Sequence, residues 1–139
     1  MKIGYTTGVF DMFHIGHLNI LKKSRSVCDF LIVGVTTDEF VEKYKNQKTV
    51  IPFKERIEII SSIRFVDKAV AQFDHDKFIA WELYKFDIMT VGDDWKGTEK
   101  WNKYEKQFND VGVKIIYFPR TPGTSSTILT ETILKKLKY

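Results

Sequence analysis

The chain contains a single cysteine, Cys28, and therefore forms no internal disulfide. Its longest apolar run, residues 30–35, has the length of a strand and falls far short of the ~20 residues that a membrane helix needs. The first residues lack the apolar core of a signal peptide. These absences predict a protein of the reducing cytoplasm that does not insert into membranes.

Arginine is scarce, since only Arg25, Arg56, Arg64 and Arg120 occur among the 22 basic residues, which exceed the 18 acidic residues and give a net charge of +4. There is no arginine-rich arm and no zinc-finger spacing, so a nucleic-acid partner is not expected. An arginine fork binds two phosphate oxygens at once, which makes these few positions more informative than the lysines. The modest positive charge fits a small acidic ligand.

The glycine fingerprint of dinucleotide-binding folds and the Walker lysine loop are also missing. What is present is an alternation of strand-like and helix-like segments in a chain of single-domain length, 1–139. This alternation predicts an α/β fold with a five-stranded parallel sheet and helices on both faces. The predicted strands span 2–7, 30–35, 65–71, 87–91 and 113–118, and the predicted helices span 16–27, 37–45, 74–85, 99–110 and 125–138, with one more beginning at Pro52.

Ligands of such sheets bind at the carboxyl ends of the strands, and the first strand is followed there by two histidines at the start of a helix. His14 and His17 share one face of that helix, where imidazoles and free backbone N–H groups would bind phosphate. Capping or surface histidines are the alternative. A zinc pair is disfavoured because no cysteine and only one further histidine, His75, is available, although carboxylates could complete such a site.

The fourth and fifth strands also end in polar segments. Residues 118–127 place five hydroxyl residues next to Arg120, directly before the last helix, which predicts a seat for a polyphosphate. A polar loop with a redundant helix cap is the alternative. Residues 92–95, Gly-Asp-Asp-Trp, offer carboxylates for a ribose hydroxyl, a magnesium ion or a helix start, and Trp95 could cover a base or simply pack.

Together these segments resemble the cytidylyltransferases of the nucleotidyltransferase superfamily, and most closely those that act on glycerol 3-phosphate. The first signature is Gly8-Val9-Phe10-Asp11 followed by His-Ile-Gly-His at 14–17, and the second is residues 120–127. Arg56, residues 64–67 and residues 92–95 lie between them in the expected order. Three positions depart from the family pattern: Val9 replaces Thr or Ser, Pro122 replaces Glu, and Thr124 replaces Ile.

The resemblance implies a Rossmann-like nucleotidyltransferase fold and an enzyme that uses CTP, with Mg²⁺, and a small alcohol phosphate. It also implies a homodimer. Catalytic positions would be His14, His17, Lys45 and Arg120. Nucleotide contacts would come from Gly8, Val9, Phe10, Asp11, His14, Gly16, His17, Lys45, Lys48, Gly92, Asp94, Trp95, Arg120, Thr121, Ser125 and Ser126. Acceptor contacts would come from Arg64, Asp67 and Lys77, and Asp11 is the carboxylate nearest to the metal.

Several alternatives stay open at this stage. Small adenylyltransferases share the His-x-Gly-His motif but usually lack the Arg-Thr-x-Gly sequence. Class I aminoacyl-tRNA synthetases also share the tetrapeptide, yet they are far larger and carry a Lys-Met-Ser-Lys-Ser loop that is missing here. A non-catalytic nucleotide-binding module and a flavodoxin-like interaction domain complete the set. Lys45 and Lys48 could equally be ordinary surface lysines.

Overall fold

A computed structural model describes residues 1–46, 48–73, 76–119 and 133 of the chain, with residue 45 described by its backbone alone. The predicted polyphosphate segment, including Arg120, Thr121, Ser125 and Ser126, lies outside these residues, as does His75. The same is true of the last predicted helix except for Ile133, which is helical. Within the described part of the chain, no helix has the length and apolar character needed to cross a membrane.

Strands and helices alternate along the chain as predicted. The strands are β1 (Ile3–Gly8), β2 (Phe30–Thr36), β3 (Lys68–Gln72), β4 (Ile88–Gly92) and β5 (Lys114–Phe118). The helices are α1 (Ile15–Ser26), α2 (Asp38–Lys45), α3 (Phe53–Ser61), α4 (Lys77–Tyr84) and α5 (Glu99–Asp110), with one 3₁₀ turn over Asp93–Trp95.

The third strand begins three residues later than predicted, at Lys68 instead of residue 65. The chain first closes a turn in which the Val66 N–H donates to Ile63 O. Pairing with β2 starts at Ile32 and Lys68. The apolar pair Phe65 and Val66 therefore belongs to a connection, and its β-like composition alone suggested a strand.

All five strands run parallel in the order β3-β2-β1-β4-β5. The strand order reverses between β1 and β4, because β2 and β3 extend the sheet on one side of β1 and β4 and β5 extend it on the other. In open parallel sheets a ligand crevice forms at the carboxyl ends of the two strands where the order reverses. The segments after Gly8 and Gly92 are therefore neighbours.

Two apolar clusters cover the two faces of the sheet. Ile32 joins the cluster that contains α4 and α5 side chains, whereas its neighbours Leu31 and Val33 join the cluster that contains α1 and α3 side chains. Successive side chains of a strand point to opposite faces, so the sheet is covered by helices on both sides. The predicted Rossmann-like fold is confirmed.

Helix α1, which carries the two histidines, is attached to the sheet by a buried polar contact. The Ser24 hydroxyl donates to Ile20 O at 2.7 Å, so it accepts from the Thr90 hydroxyl, also at 2.7 Å. The Thr90 carbonyl accepts from the Thr6 hydroxyl at 3.0 Å. All three of these side chains are buried, and the chain of bonds joins α1 to β1 and β4 beneath the crevice.

Candidate active site

The loop between β1 and α1 is compact and strained. Phe10 (φ 55°) and Met12 (φ 48°) both occupy the left-handed region that side chains disfavour. The Phe10 ring folds back onto the end of β1, where a Cβ at Gly8 would lie 2.9 Å from its Cζ. Gly8 is needed for this packing, and the Phe10 ring is part of the core, so only the backbone of Phe10 remains available to a ligand.

The two histidines form a capping box at the start of α1. His14 is the N-cap residue, and its Nδ1 accepts a hydrogen bond from the Gly16 N–H at 3.0 Å. The His14 N–H in turn donates to Nδ1 of His17 at 3.3 Å. This reciprocal arrangement is the one that Ser/Thr-x-x-Glu/Gln sequences usually provide. The capping alternative is therefore realised, and it uses only one nitrogen of each ring.

The capping bonds fix the tautomer of each ring. A neutral imidazole whose Nδ1 accepts carries its proton on Nε2, so His14 and His17 both present Nε2–H donors. Burial lowers the pKa of His14. Burial and the neighbouring His14 ring lower the pKa of His17 to about 4, although the Asp11 carboxylate acts in the opposite direction. Both side chains are neutral donors near pH 7.

One of these donors lacks an acceptor. Nε2 of His14 is buried and has no hydrogen-bond partner among the described residues. Leaving a buried polar group unsatisfied costs about 1–3 kcal/mol, which an anionic ligand would recover. The His14 and His17 rings stack with centroids 4.0 Å apart, and Phe10 and Phe13 flank His17, each at 5.4 Å. The pair is thus held rigidly where the helix dipole favours an anion.

Asp11 holds the segment that follows α2 rather than standing open to a ligand. Its two carboxylate oxygens accept from the N–H groups of Val50 and Ile51 at 2.8 and 2.9 Å. This contact brings residues 48–52, called here the Lys48 segment, to the first loop. Lys48 itself is exposed. No group of three or more His, Cys, Asp or Glu side chains within the described ranges could hold a metal ion. These residues do not by themselves build a magnesium or zinc site.

Arg56, which the sequence analysis placed between the two signatures without giving it a role, is a buried arginine whose contacts include the first loop. It is 1 % exposed, and it donates to the carbonyls of Val9, Thr36 and Ile51 and to the Asp38 carboxylate. The sequence does contain an indication that Arg56 is buried, because Arg56 lies four residues before Ile60 and so shares the buried face of α3. A charged residue on an otherwise apolar helical face requires a buried set of partners.

The end of β4 lies beside the first loop, as the strand order requires. Gly92 faces open space, and a Cβ built on it would have no atom within 4 Å. The 3₁₀ turn over 93–95 follows directly and leaves the Trp95 side chain 51 % exposed and Asp94 exposed. These predicted nucleotide-binding residues therefore lie at the carboxyl ends of the strands, on the same side of the sheet as His14 and His17.

Two of the predicted acceptor residues lie at the opposite end of the sheet, where the strands begin. Asp67 precedes β3, and its Oδ2 accepts from the Leu31 N–H at 2.8 Å and pairs with Arg25 Nε at 3.0 Å. Arg64 lies in the same connection, with its guanidinium over the Phe65 ring. The length of the sheet, roughly 15 Å for a five-residue strand, separates them from the histidines. The acceptor role predicted for Arg64 and Asp67 does not fit this position.

Lys77, the third predicted acceptor residue, lies at the appropriate edge. It opens α4, which follows the carboxyl end of β3, and its N–H donates to the Tyr104 hydroxyl at 3.1 Å. The structure thus brings the first loop, the histidines, the Lys48 segment and residues 92–95 together at the carboxyl ends of the strands. Lys77 lies at the same end of the sheet but farther away, next to β3.

Among known proteins, the model of the family described as cytidylyltransferase-like matches residues 5–132 of this chain. The chain belongs to the cytidylyltransferase-like family. It is accordingly a nucleotidyltransferase, as the two signature motifs predicted.

Relatives of this cytidylyltransferase-like protein carry more than one name. A glycerol-3-phosphate cytidylyltransferase of Bacillus spizizenii is 36% identical over 129 residues, covering 91% of this chain and 93% of that one. A FAD synthase of Archaeoglobus fulgidus is 32% identical over 133 residues, covering 94% and 96%. The crystal structure of a lipopolysaccharide core biosynthesis protein from Thermoplasma volcanium superposes with a TM-score of 0.72 at 28% identity, covering 87% and 97%.

Proposed function

We propose that this protein transfers CMP from CTP to a small polyol phosphate, with glycerol 3-phosphate the first choice, to give CDP-glycerol and pyrophosphate. The observation that carries the proposal is the buried Nε2–H of His14, which has no partner among the described residues and lies beside a second neutral histidine at a helix start. This pair of histidines lies at the carboxyl end of β1, where the strand order reverses between β1 and β4. The glycerol-3-phosphate cytidylyltransferase relative, which matches over nearly its whole length, supports the choice of substrates.

The chemistry needs no general base, because the attacking oxygen belongs to a phosphate that is ionised at pH 7. Catalysis then consists of holding the two phosphates in line and stabilising the charge that develops around the α-phosphorus. Nε2–H groups of His14 and His17 would donate to the α- and β-phosphates, and the start of α1 adds its dipole. Neutral donors suit this task because they require no change in protonation during the reaction.

The remaining contacts are assigned from the family resemblance. Arg120, Thr121, Ser125 and Ser126 would bind the β- and γ-phosphates that leave as pyrophosphate, and Lys45 and Lys48 would approach the triphosphate. Asp94 and Trp95 would contact cytidine or the acceptor hydroxyls, and Lys77 the acceptor phosphate. Mg²⁺ would enter with CTP and be held largely by its phosphates, since Asp11 is engaged by backbone N–H groups. We retain a homodimer as part of the proposal.

Transfer from ATP is the second candidate, because a FAD synthase, whose product contains adenine, is a relative over nearly the full chain. A screen of CTP and ATP against glycerol 3-phosphate, ribitol phosphate, choline phosphate and ethanolamine phosphate, read by pyrophosphate release, decides between them. His14→Ala protein prepared in parallel controls for contaminating activity. We expect the highest turnover with CTP and glycerol 3-phosphate.

Each other outcome of the screen points to a different function. Preference for ATP would reassign the nucleotide, and preference for choline phosphate or ethanolamine phosphate would reassign the acceptor. Nucleotide binding in calorimetry without turnover of any pair would make the protein a binding module.

A further inference from the structure

We infer that Arg56 is a positioning residue that fixes the orientation of the Val9–Phe10 peptide, and thereby the loop that leads into the histidine helix. The inference rests on the proposed function for its kinetic test, but its structural test does not require turnover. Arg56 lies in α3, outside every segment to which a ligand contact has been assigned.

The guanidinium of Arg56 binds three separate backbone segments at the carboxyl ends of the strands. Its Nη1 donates to Val9 O after β1 at 2.6 Å and to Thr36 O at the end of β2 at 2.8 Å. Its Nε donates to Ile51 O in the segment before α3 at 2.9 Å. The first loop, the second strand and the Lys48 segment are therefore tied to one rigid group.

The fourth contact is an ion pair, since Nη2 lies 2.5 Å from Oδ1 of Asp38. Burial alone would raise the pKa of Asp38, but hydrogen bonds from the Phe53 N–H, Arg56 and Thr49 lower it, so the carboxylate is charged. Four of the five guanidinium N–H groups are thus used, each in a direction set by the planar fork. A lysine, with three donors on one atom, cannot reproduce this arrangement.

The contact with Val9 determines on which side of the loop a backbone donor lies. The described peptides are all trans, and in a trans peptide the C=O and the following N–H point in opposite directions. Because Val9 O faces Arg56, the Phe10 N–H faces away from it. Phe10 is held at a positive φ with its ring buried, so the peptide cannot turn without disturbing the core.

The kinetic test compares Arg56→Lys with Arg25→Lys as a matched control. Arg25 also donates to a backbone carbonyl, that of Cys28 at 2.7 Å, and also pairs with a carboxylate, but at the opposite edge of the sheet. We expect both variants to lose thermal stability. Only Arg56→Lys should lose kcat, on the order of 10–100-fold, because small displacements of aligned groups cost that much in rate. Its KM for CTP should change by less than about threefold, since the other phosphate contacts remain.

The structural test uses the ¹⁵N and ¹³C signals of the histidine rings in NMR spectra of the apo protein. Arg56→Lys should shift the signals of His14 and His17, whereas Arg25→Lys should leave them in place. This readout separates the two proposals, because shifted signals in a protein without CTP turnover would overturn the proposed function and leave the role of Arg56 intact.

Asp38→Asn keeps the test available if Arg56→Lys does not fold. The substitution preserves size and weakens one of the four guanidinium contacts, so we expect a smaller loss of kcat, about 3–10-fold, and smaller shifts of the same signals. Equal losses of kcat in the Arg56 and Arg25 variants would overturn the inference. So would full activity and unshifted histidine signals in Arg56→Lys or, where that variant is unfolded, in Asp38→Asn.

Discussion

His14 and His17 divide two tasks between the two nitrogens of each ring. Nδ1 takes part in the capping box of α1, and in the proposed function the proton that this leaves on Nε2 would be donated to an anion. Simple removal of either ring therefore mixes a loss of stability with a loss of catalysis. An asparagine at position 14 separates the two, because its side-chain oxygen caps helices well and has no group at the Nε2 position.

We expect His14→Asn to lower kcat by roughly 10²–10³-fold, the value of one well-placed donor to a developing charge. His14→Ala should show the same loss of kcat and, in addition, a loss of about 1 kcal/mol in the free energy of unfolding. Steady-state kinetics and urea unfolding of both variants provide the measurement. A His14→Asn enzyme with nearly full kcat would show that the Nε2 donor has no part in catalysis.

Arg120 lies outside the described residues, and its role stays a prediction from the sequence. Arg120→Lys keeps the charge but loses the fork that holds two phosphate oxygens, so the KM for CTP should rise. Binding of CTP, CDP and CMP to both proteins provides the direct measurement. We expect strong weakening for CTP and almost none for CMP, whereas equal weakening of all three would remove Arg120 from the β,γ-phosphate site.

At the scale of elements, the carboxyl end of the sheet depends on a close crossing of side chains over β2. The Tyr5 hydroxyl of β1 donates to the Gln72 side chain of β3 across Gly34, and all three are buried. Burial and the nearby Tyr84 raise the pKa of Tyr5, so the phenol stays protonated as a donor. The bond joins β1 to β3 across the intervening β2, beneath the loops at the carboxyl ends of the strands.

We expect Gly34→Ala to destabilise the protein by about 1–3 kcal/mol, the usual cost of overfilling a packed site. The added Cβ would collide with the Tyr5 hydroxyl and lie 3.2 Å from Oε1 of Gln72. Gly92→Ala is the matched control, because its Cβ would meet open space and its backbone is extended. Thermal unfolding of both variants should show a clear loss only at position 34, and equal Tm values would refute the crossing.

At the scale of the whole molecule, the lowered histidine pKa values make folding sensitive to mild acid. The pKa of His17 falls from its ordinary value of 6.5 to about 4 in the folded chain, with burial as the main cause. Between these values the unfolded chain binds more protons, so the free energy of unfolding falls as the pH drops from 6.5 towards 4. Above pH 6.5 this contribution is complete.

Unfolding in urea at several pH values measures this effect, with His17→Asn as the control. The variant lacks the titrating ring, so we expect its free energy of unfolding to depend less steeply on pH within the window. Parallel pH profiles for the two proteins would show that His17 titrates normally in the folded state.

The sequence alone determined the order of the elements, the fold class and the family. Hydrophobic periodicity is local, so the segments could be assigned without knowing their partners, apart from the turn at Phe65 and Val66. The His-x-Gly-His motif is equally local, and its spacing placed His14 and His17 on one helical turn. Because ligands meet the carboxyl ends of parallel strands, the same motif also places the crevice at the loop that follows the first strand.

Only the tertiary structure decided which edge and which partners each polar residue has. Arg56 and Arg64 are eight residues apart in the sequence, yet α3 runs back across the sheet and leaves them at opposite edges. For the same reason Asp67 pairs with Arg25, while Asp11 holds residues 50 and 51. The partner of a charged side chain is the group that lies near it in the folded chain. Leu31 and Asp67 are 36 residues apart, and Val9 and Arg56 are 47 residues apart, so neither contact has a local signature in the sequence.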